Sequence, residues 1–191
     1  MKRIMFSDRY GLTQAVLKGK KTMTRRIIPL CENDLNFLKI AERGEWLFSS
    51  RTCLDGAYPA YNVGEEVAVA QSYKAIGLTF ISPPDTQWGC TYEMSGYSNK
   101  MFVRADLMPR RIRITNIKAE RLQDISEEDC LREGIKKMEE GMPYRFDEDN
   151  GKIHLSADPR MLFADLIDRI SGKGTWNRNP WVFAYEFELV K

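Results

Sequence analysis

The residues with the clearest chemical potential lie in Gly19-Lys20-Lys21-Thr22-Met23-Thr24-Arg25-Arg26. A threonine hydroxyl is a weak nucleophile by itself and needs an adjacent base. A lysine can serve as that base only when its pKa is lowered, and burial and neighbouring cations both lower it. Lys20, Arg25 and Arg26 supply the cations. Lys21 and Thr24 are three residues apart, so a tight turn brings them together, whereas an extended strand puts them on opposite faces. Glu133 is the third candidate. It falls in the last turn of a short helix whose other acids, Glu127, Glu128 and Asp129, stand at the start. A carboxylate at a helix C-terminus is disfavoured by about a few tenths of a kcal/mol. On the residues alone the plainer readings come first: a basic turn beside a helix end, and a glutamate exposed to water.

Other side chains suit recognition of an anion or a base. Arg110, Arg111 and Arg113 form a second basic group. Trp46, Tyr73, Trp88, Trp176 and Trp181 are aromatic surfaces on which bases can stack. Trp176, in the polar loop Thr175-Trp176-Asn177-Arg178-Asn179, is the better candidate, because Trp181 begins an alternating strand and reads as core. The net charge is only +2, so these local patches suit a small anionic ligand or a short stretch of RNA better than a long duplex.

Composition removes several classes of chemistry. With one histidine, His154, in a polar segment, neither a Ser-His-Asp triad nor a multi-histidine metal site is expected. Cys31, Cys53, Cys90 and Cys130 are far apart and contain no CxxC pair, so no metal or cofactor is expected. The N-terminus reaches Asp8 before an apolar signal region develops, and the apolar runs are too short to span a bilayer. The expectation is a cytoplasmic protein with four reduced thiols and no membrane partner. At 191 residues, one domain is expected.

The elements that position these residues follow from periodicity and punctuation. Arg3 to Phe6 reads as a strand, and Ser7 or Asp8 as the cap of a helix carrying Leu12, Ala15 and Val16, which Gly19 stops. Glu45 to Ser50, Val63 to Ala70 and Met101 to Arg104 read as further strands. Ile112 to Leu122 is a stronger strand whose apolar phase shifts near Thr115-Asn116, which predicts a bulge. Ser126 is an N-cap with Asp129 at N3, and Gly134 closes that short helix. Asn150-Gly151 predicts a hairpin turn in an exposed arm. Asp158-Pro159 opens a helix with Phe163, Leu166, Ile167 and Ile170 on its apolar face, ended by Gly172. Trp181 to Val190 alternates strictly and is the clearest strand. Short strands with three helices between them, and no βαβ alternation, predict an α+β fold with a mostly antiparallel or mixed sheet.

Taken together, these segments resemble the ASCH family, a branch of the PUA-like superfamily. Its G-x-K-x-x-T-x-R motif stands here as Gly19, Lys21, Thr24 and Arg26. Val63-Gly64-Glu65, the run from Met108-Pro109-Arg110 through Leu122 to Ile135, and Asn179-Pro180-Trp181-Val182 leading into Glu186 resemble phage- and prophage-associated members. Many relatives carry Arg-Glu and then Trp where this chain has Ala70-Gln71 and Tyr73. The resemblance implies a β-barrel of about five or six mostly antiparallel strands flanked by helices, with insertions near 77–99 and 136–157. It implies binding of RNA or a modified nucleoside. Small bacterial members hydrolyse the acetyl amide of N4-acetylcytidine with a lysine, a threonine and a glutamate, which map onto Lys21, Thr24 and Glu133. In that scheme Lys21 takes the proton of Thr24, whose Oγ attacks the acetyl carbonyl. Arg26 supports the site, and Lys20, Arg25, Arg110, Arg111 and Trp176 are candidate substrate contacts. The alternative is a non-catalytic RNA-binding or RNA-processing module of a phage or mobile element.

Overall fold

The computed structural model describes residues 1–31, 35–41, 44–51, 53–78, 95–139 and 143–190. Trp88, Cys90 and most of the 77–99 insertion lie outside them. One five-stranded sheet runs in the order β1 (Arg3–Ile4), β6 (Glu66–Val69), β7 (Arg111–Arg121), β11 (Trp181–Val190), β2 (Met23–Ile27). β1 is parallel to β6 and the other three pairings are antiparallel. Opposite Glu186 and Phe187 the register skips Thr115, which is the bulge that the phase shift predicts.

The sheet is not the closed barrel that the family resemblance implies. β1 and β2 are its two edges, and no backbone ladder joins them among the described residues. β1 is only two residues long, and the chain turns away from it before it can pair twice. What crosses the gap is a side chain: Arg26 Nη2 donates to the Met5 carbonyl at 2.6 Å. The opening between the edges is where the cavity described below lies.

Two small sheets complete the fold. β3 (Asn36–Ile40), β4 (Trp46–Ser49) and β5 (Leu54–Ala57) form an antiparallel meander, of which sequence periodicity showed only the middle strand. Its aromatic side chains cover one face of β11, with Trp46 5.2 Å from Phe183 and Phe48 5.4 Å from Trp181. The hairpin expected at Asn150-Gly151 joins two strands of a small sheet formed by β8 (Lys136–Lys137), β9 (Tyr144–Asp147) and β10 (Ile153–Ser156). Phe146 is buried there, edge-on to Tyr10 and stacked on His154 at 4.3 Å. His154 therefore has a structural place: its ring nitrogens face Glu148 at 2.8 Å and Asp165 at 3.0 Å.

The helices are α1 (Leu12–Leu17), α2 (Glu127–Arg132), α3 (Pro159–Ser171) and the short α4 (Thr175–Arg178). α2 and α3 begin as their sequences dictate, with the Ser126 hydroxyl accepting from Asp129 N and the Asp158 carboxylate from Arg160 N. α1 starts later than predicted, because Ser7 to Tyr10 first closes a turn and Gly11, at φ 65°, leads into the helix. In place of a strand over Met101 to Arg104, two 3₁₀ turns, Lys100–Phe102 and Ala105–Leu107, flank an extended Val103-Arg104, with Asn99 capping the first turn.

Candidate active site

Helix α1 ends in a Schellman motif: Lys20 N donates to the Ala15 carbonyl and Gly19 N to that of Val16, with Gly19 at φ 67°. This sharp exit drops Lys21 inward rather than along the helix surface. The next residues are pinned on both sides, Thr22 N donating to the Arg132 carbonyl and Phe187 N to the Thr22 carbonyl. β2 then begins, and Thr24 lies opposite Tyr185.

Lys21 is 2% exposed and Glu133 5% exposed. Lys21 Nζ donates to Glu133 Oε2 at 2.6 Å and to the Glu133 carbonyl at 2.7 Å. That carbonyl is one of those a helix end leaves without an internal partner, so a single ammonium satisfies both it and the carboxylate. The odd position of Glu133 at the end of α2 thereby finds its reason: two cations offset the unfavourable helix dipole there. The second is Arg25, whose Nη1 reaches Glu133 Oε1 at 3.1 Å.

Arg25 anchors the arrangement from below. Its Nε donates to Glu120 Oε1 at 2.8 Å, and its Nη2 to Asp129 Oδ2 at 2.9 Å. Glu120 also meets Lys118 Nζ at 2.5 Å. Burial works against the Arg25 charge, but Glu133 and Glu120 outweigh it and hold the guanidinium above its ordinary pKa. Lys21 shifts the other way. Burial lowers its pKa, Arg26 and Arg25 lower it further, and Glu133 only partly restores it.

Lys21, Thr24, Arg26 and Glu133 line one cavity of about 240 Å³. Its other walls are Met5, Phe6 and Ser7 after β1, and Phe163, Leu166, Ile167 and Ile170 of α3. Phe6 stands between two cations, its ring centre 5.8 Å from Lys21 Nζ and 5.9 Å from the Arg26 guanidinium. The cavity thus has an apolar body and one charged, hydrogen-bonding end. Thr24 and Lys21 share it without being hydrogen-bonded to each other; both bonds from Lys21 go to Glu133. Among the described residues, no group of three or more His, Cys, Asp or Glu side chains is placed to hold a metal ion.

Arg25 lines the cavity too, with its guanidinium held by Glu120, Asp129 and Glu133. The remaining sequence candidates disperse. Lys20 is exposed and lines a separate groove with Lys136 and Lys137. Arg110 and Arg111 stand at the far end of β7, where Arg111 pairs with Val190, roughly 17 Å along β11 from Tyr185 at about 3.4 Å per residue. Arg111 and Arg113 there meet Glu66. Trp176 is half-buried, edge-on to Phe163 at 6.2 Å, with its backbone N–H held by Asp168. It packs behind Phe163, which lines the cavity. Periodicity missed Glu120 and Asp129 as site residues, since Glu120 shares the polar phase of Lys118 after the shift at Thr115. Asp129 was read only as a cap residue, which it also is. Cys130 is buried, which pushes its thiol up to about 12.

Gly134 makes the close approach possible. It sits at φ 111°, and a Cβ on it would lie 2.9 Å from Leu12 Cδ2 and 3.7 Å from Lys21 Cδ. Gly134→Ala is expected to cost about 1–3 kcal/mol in strain alone. Urea unfolding checks this: the midpoint falls while the slope stays the same.

No family model, curated protein or solved structure matches the chain. No helix among the described residues is long and apolar enough to cross a membrane.

Proposed function

We propose that this chain binds a modified nucleoside, free or as one nucleotide of an RNA, and hydrolyses an acyl amide on its base, with N4-acetylcytidine as the type substrate. The observation that carries this reading is that Lys21, Thr24 and Glu133 line one cavity, with Lys21 buried against Glu133 at 2.6 Å. The resemblance to the ASCH family supplies the reaction; the pocket supplies a place for it. An apolar body with a single charged end suits one flat base carrying a polar substituent.

The chemistry assigned to these residues balances without a metal. Burial and the neighbouring arginines favour the neutral amine of Lys21 over its ammonium. The neutral amine then takes the proton of Thr24 Oγ1 as that oxygen attacks the acyl carbon. When the carbon–nitrogen bond breaks, Lys21 returns the proton to the departing amino group of the base. Water then hydrolyses the acyl-threonine, releasing the carboxylic acid. Arg26, beside the cavity, stabilises the negative charge on the carbonyl oxygen.

The open RNA-binding groove of the alternative reading has less support. The arginines at the start of β7 are distant from the cavity, and Trp176 is packed behind its wall.

Incubating the protein with N4-acetylcytidine and measuring cytidine by chromatography tests the proposal. Cytidine is expected to appear, and kcat/KM to rise with pH to a plateau. The half-maximum should fall below the ordinary lysine value of 10.5, because the reacting form of Lys21 is the neutral amine and its pKa is lowered. A folded protein that releases no cytidine removes this substrate. A flat profile removes Lys21 as the base.

A further inference from the structure

Cys31 precedes β3 and Cys53 lies in the turn between β4 and β5, 22 positions away in sequence. Sequence spacing offers no reason to pair them. The fold nevertheless brings their sulfurs to 2.9 Å, inside ordinary non-bonded sulfur contact. Their backbones are held: Cys31 N donates to Asp55 Oδ2 at 2.6 Å, Cys53 N to Ser50 Oγ at 3.1 Å, and Ser50 N to the Cys53 carbonyl at 2.9 Å. Cys31 is exposed and Cys53 half-buried, so a small reagent can reach the pair, while Cys130 is buried elsewhere.

We propose that Cys31 and Cys53 form a redox modification site, a dithiol that a low-molecular-weight disulfide converts reversibly into an intramolecular disulfide. One thiol loses its proton and attacks a sulfur of the small disulfide, RSSR. This forms a mixed disulfide and expels one RS⁻, which takes up the proton. The second protein thiol then attacks the mixed disulfide at the protein sulfur, forms the Cys31–Cys53 bond and expels the second RS⁻, again with its proton. The protein loses two electrons and two protons, and RSSR becomes two RSH. The new bond closes the loop that carries β3 and β4 and ties the β4–β5 turn to the segment following β2. The meander is what covers Trp181 and Phe183 of β11, so oxidation tightens the cover of the central strand. This inference is independent of the reading given to the cavity.

The Cys31 thiol is pushed up to about 12, first by its hydrogen bond with Cys53, then by burial and Asp55. Exchange at neutral pH is therefore slow, and the test belongs in mildly alkaline buffer. The full chain is incubated with oxidised glutathione, and its intact mass and non-reduced proteolytic peptides are measured. The expected result is a loss of about 2 Da and a peptide joining Cys31 to Cys53, both reversed by dithiothreitol. Proteolysis between residues 31 and 53 should slow by roughly tenfold in the oxidised form. Cys31→Ser should abolish the cross-link and leave Cys53 as a single glutathione adduct. Two outcomes overturn the proposal: separate glutathione adducts on Cys31 and Cys53 in the native chain without a cross-link, or a cross-link that involves Cys90 or Cys130 instead.

Discussion

Lys21→Met is expected to lower kcat for cytidine release by roughly 10²–10⁴-fold, the range for loss of a positioned general base. KM should change little, because the apolar walls of the cavity, Phe6, Phe163, Leu166 and Ile167, remain. The fold should survive as well. Methionine suits a site that is 2% exposed, and Glu133 keeps Arg25 as a charged partner at 3.1 Å. Replacing one member of a buried ion pair is usually costly because the other is stranded, and here it is not. Steady-state kinetics beside a circular dichroism melt separates the outcomes. Unchanged kcat in a folded variant would take Lys21 out of the chemistry and leave the cavity as a binding site.

Arg25→Met should have the opposite signature, a large loss of stability. The Arg25 side chain is 1% exposed and serves Glu120, Asp129 and Glu133 together. Its removal leaves Glu120 to Lys118, Asp129 to Arg132 and Glu133 to Lys21, with the buried acids close to one another and short of positive charge. Breaking such a network costs about 3–5 kcal/mol. That is a large part of the 5–15 kcal/mol by which a domain is typically stable. Urea denaturation of the purified variant reads this directly. Arg25→Lys should recover only part of the loss, since an ammonium lacks the fork that spans three carboxylates. A loss below about 1 kcal/mol in Arg25→Met would mean that the three acids are not held by this guanidinium.

Both predictions depend on features of unequal visibility in the chain. Several local signals were legible. Ser126 and Asp158 cap their helices, Gly19 ends α1, the phase shift marks the bulge at Thr115, and Trp181 to Val190 forms the central strand. Each of these is decided within a few residues by hydrogen-bonding geometry or side-chain alternation. The type and spacing of Lys21 and Thr24 were legible too, as was the anomaly of a glutamate at the end of α2.

Tertiary structure decided the rest. Glu133 is 112 residues from Lys21, and no local rule brings them together. The Schellman exit of α1, the conformation of Gly134 and the three-carboxylate grip of Arg25 do so jointly. The same long-range packing buried Arg25 among three carboxylates, set Trp176 against Phe163 and gave His154 its two carboxylates. It also left the sheet open at the β1 and β2 edges, because a two-residue strand cannot close a ladder and the cavity occupies the gap. Periodicity reports which face of an element is apolar; which elements share a core depends on contacts between distant segments, and those exist only once the chain has folded.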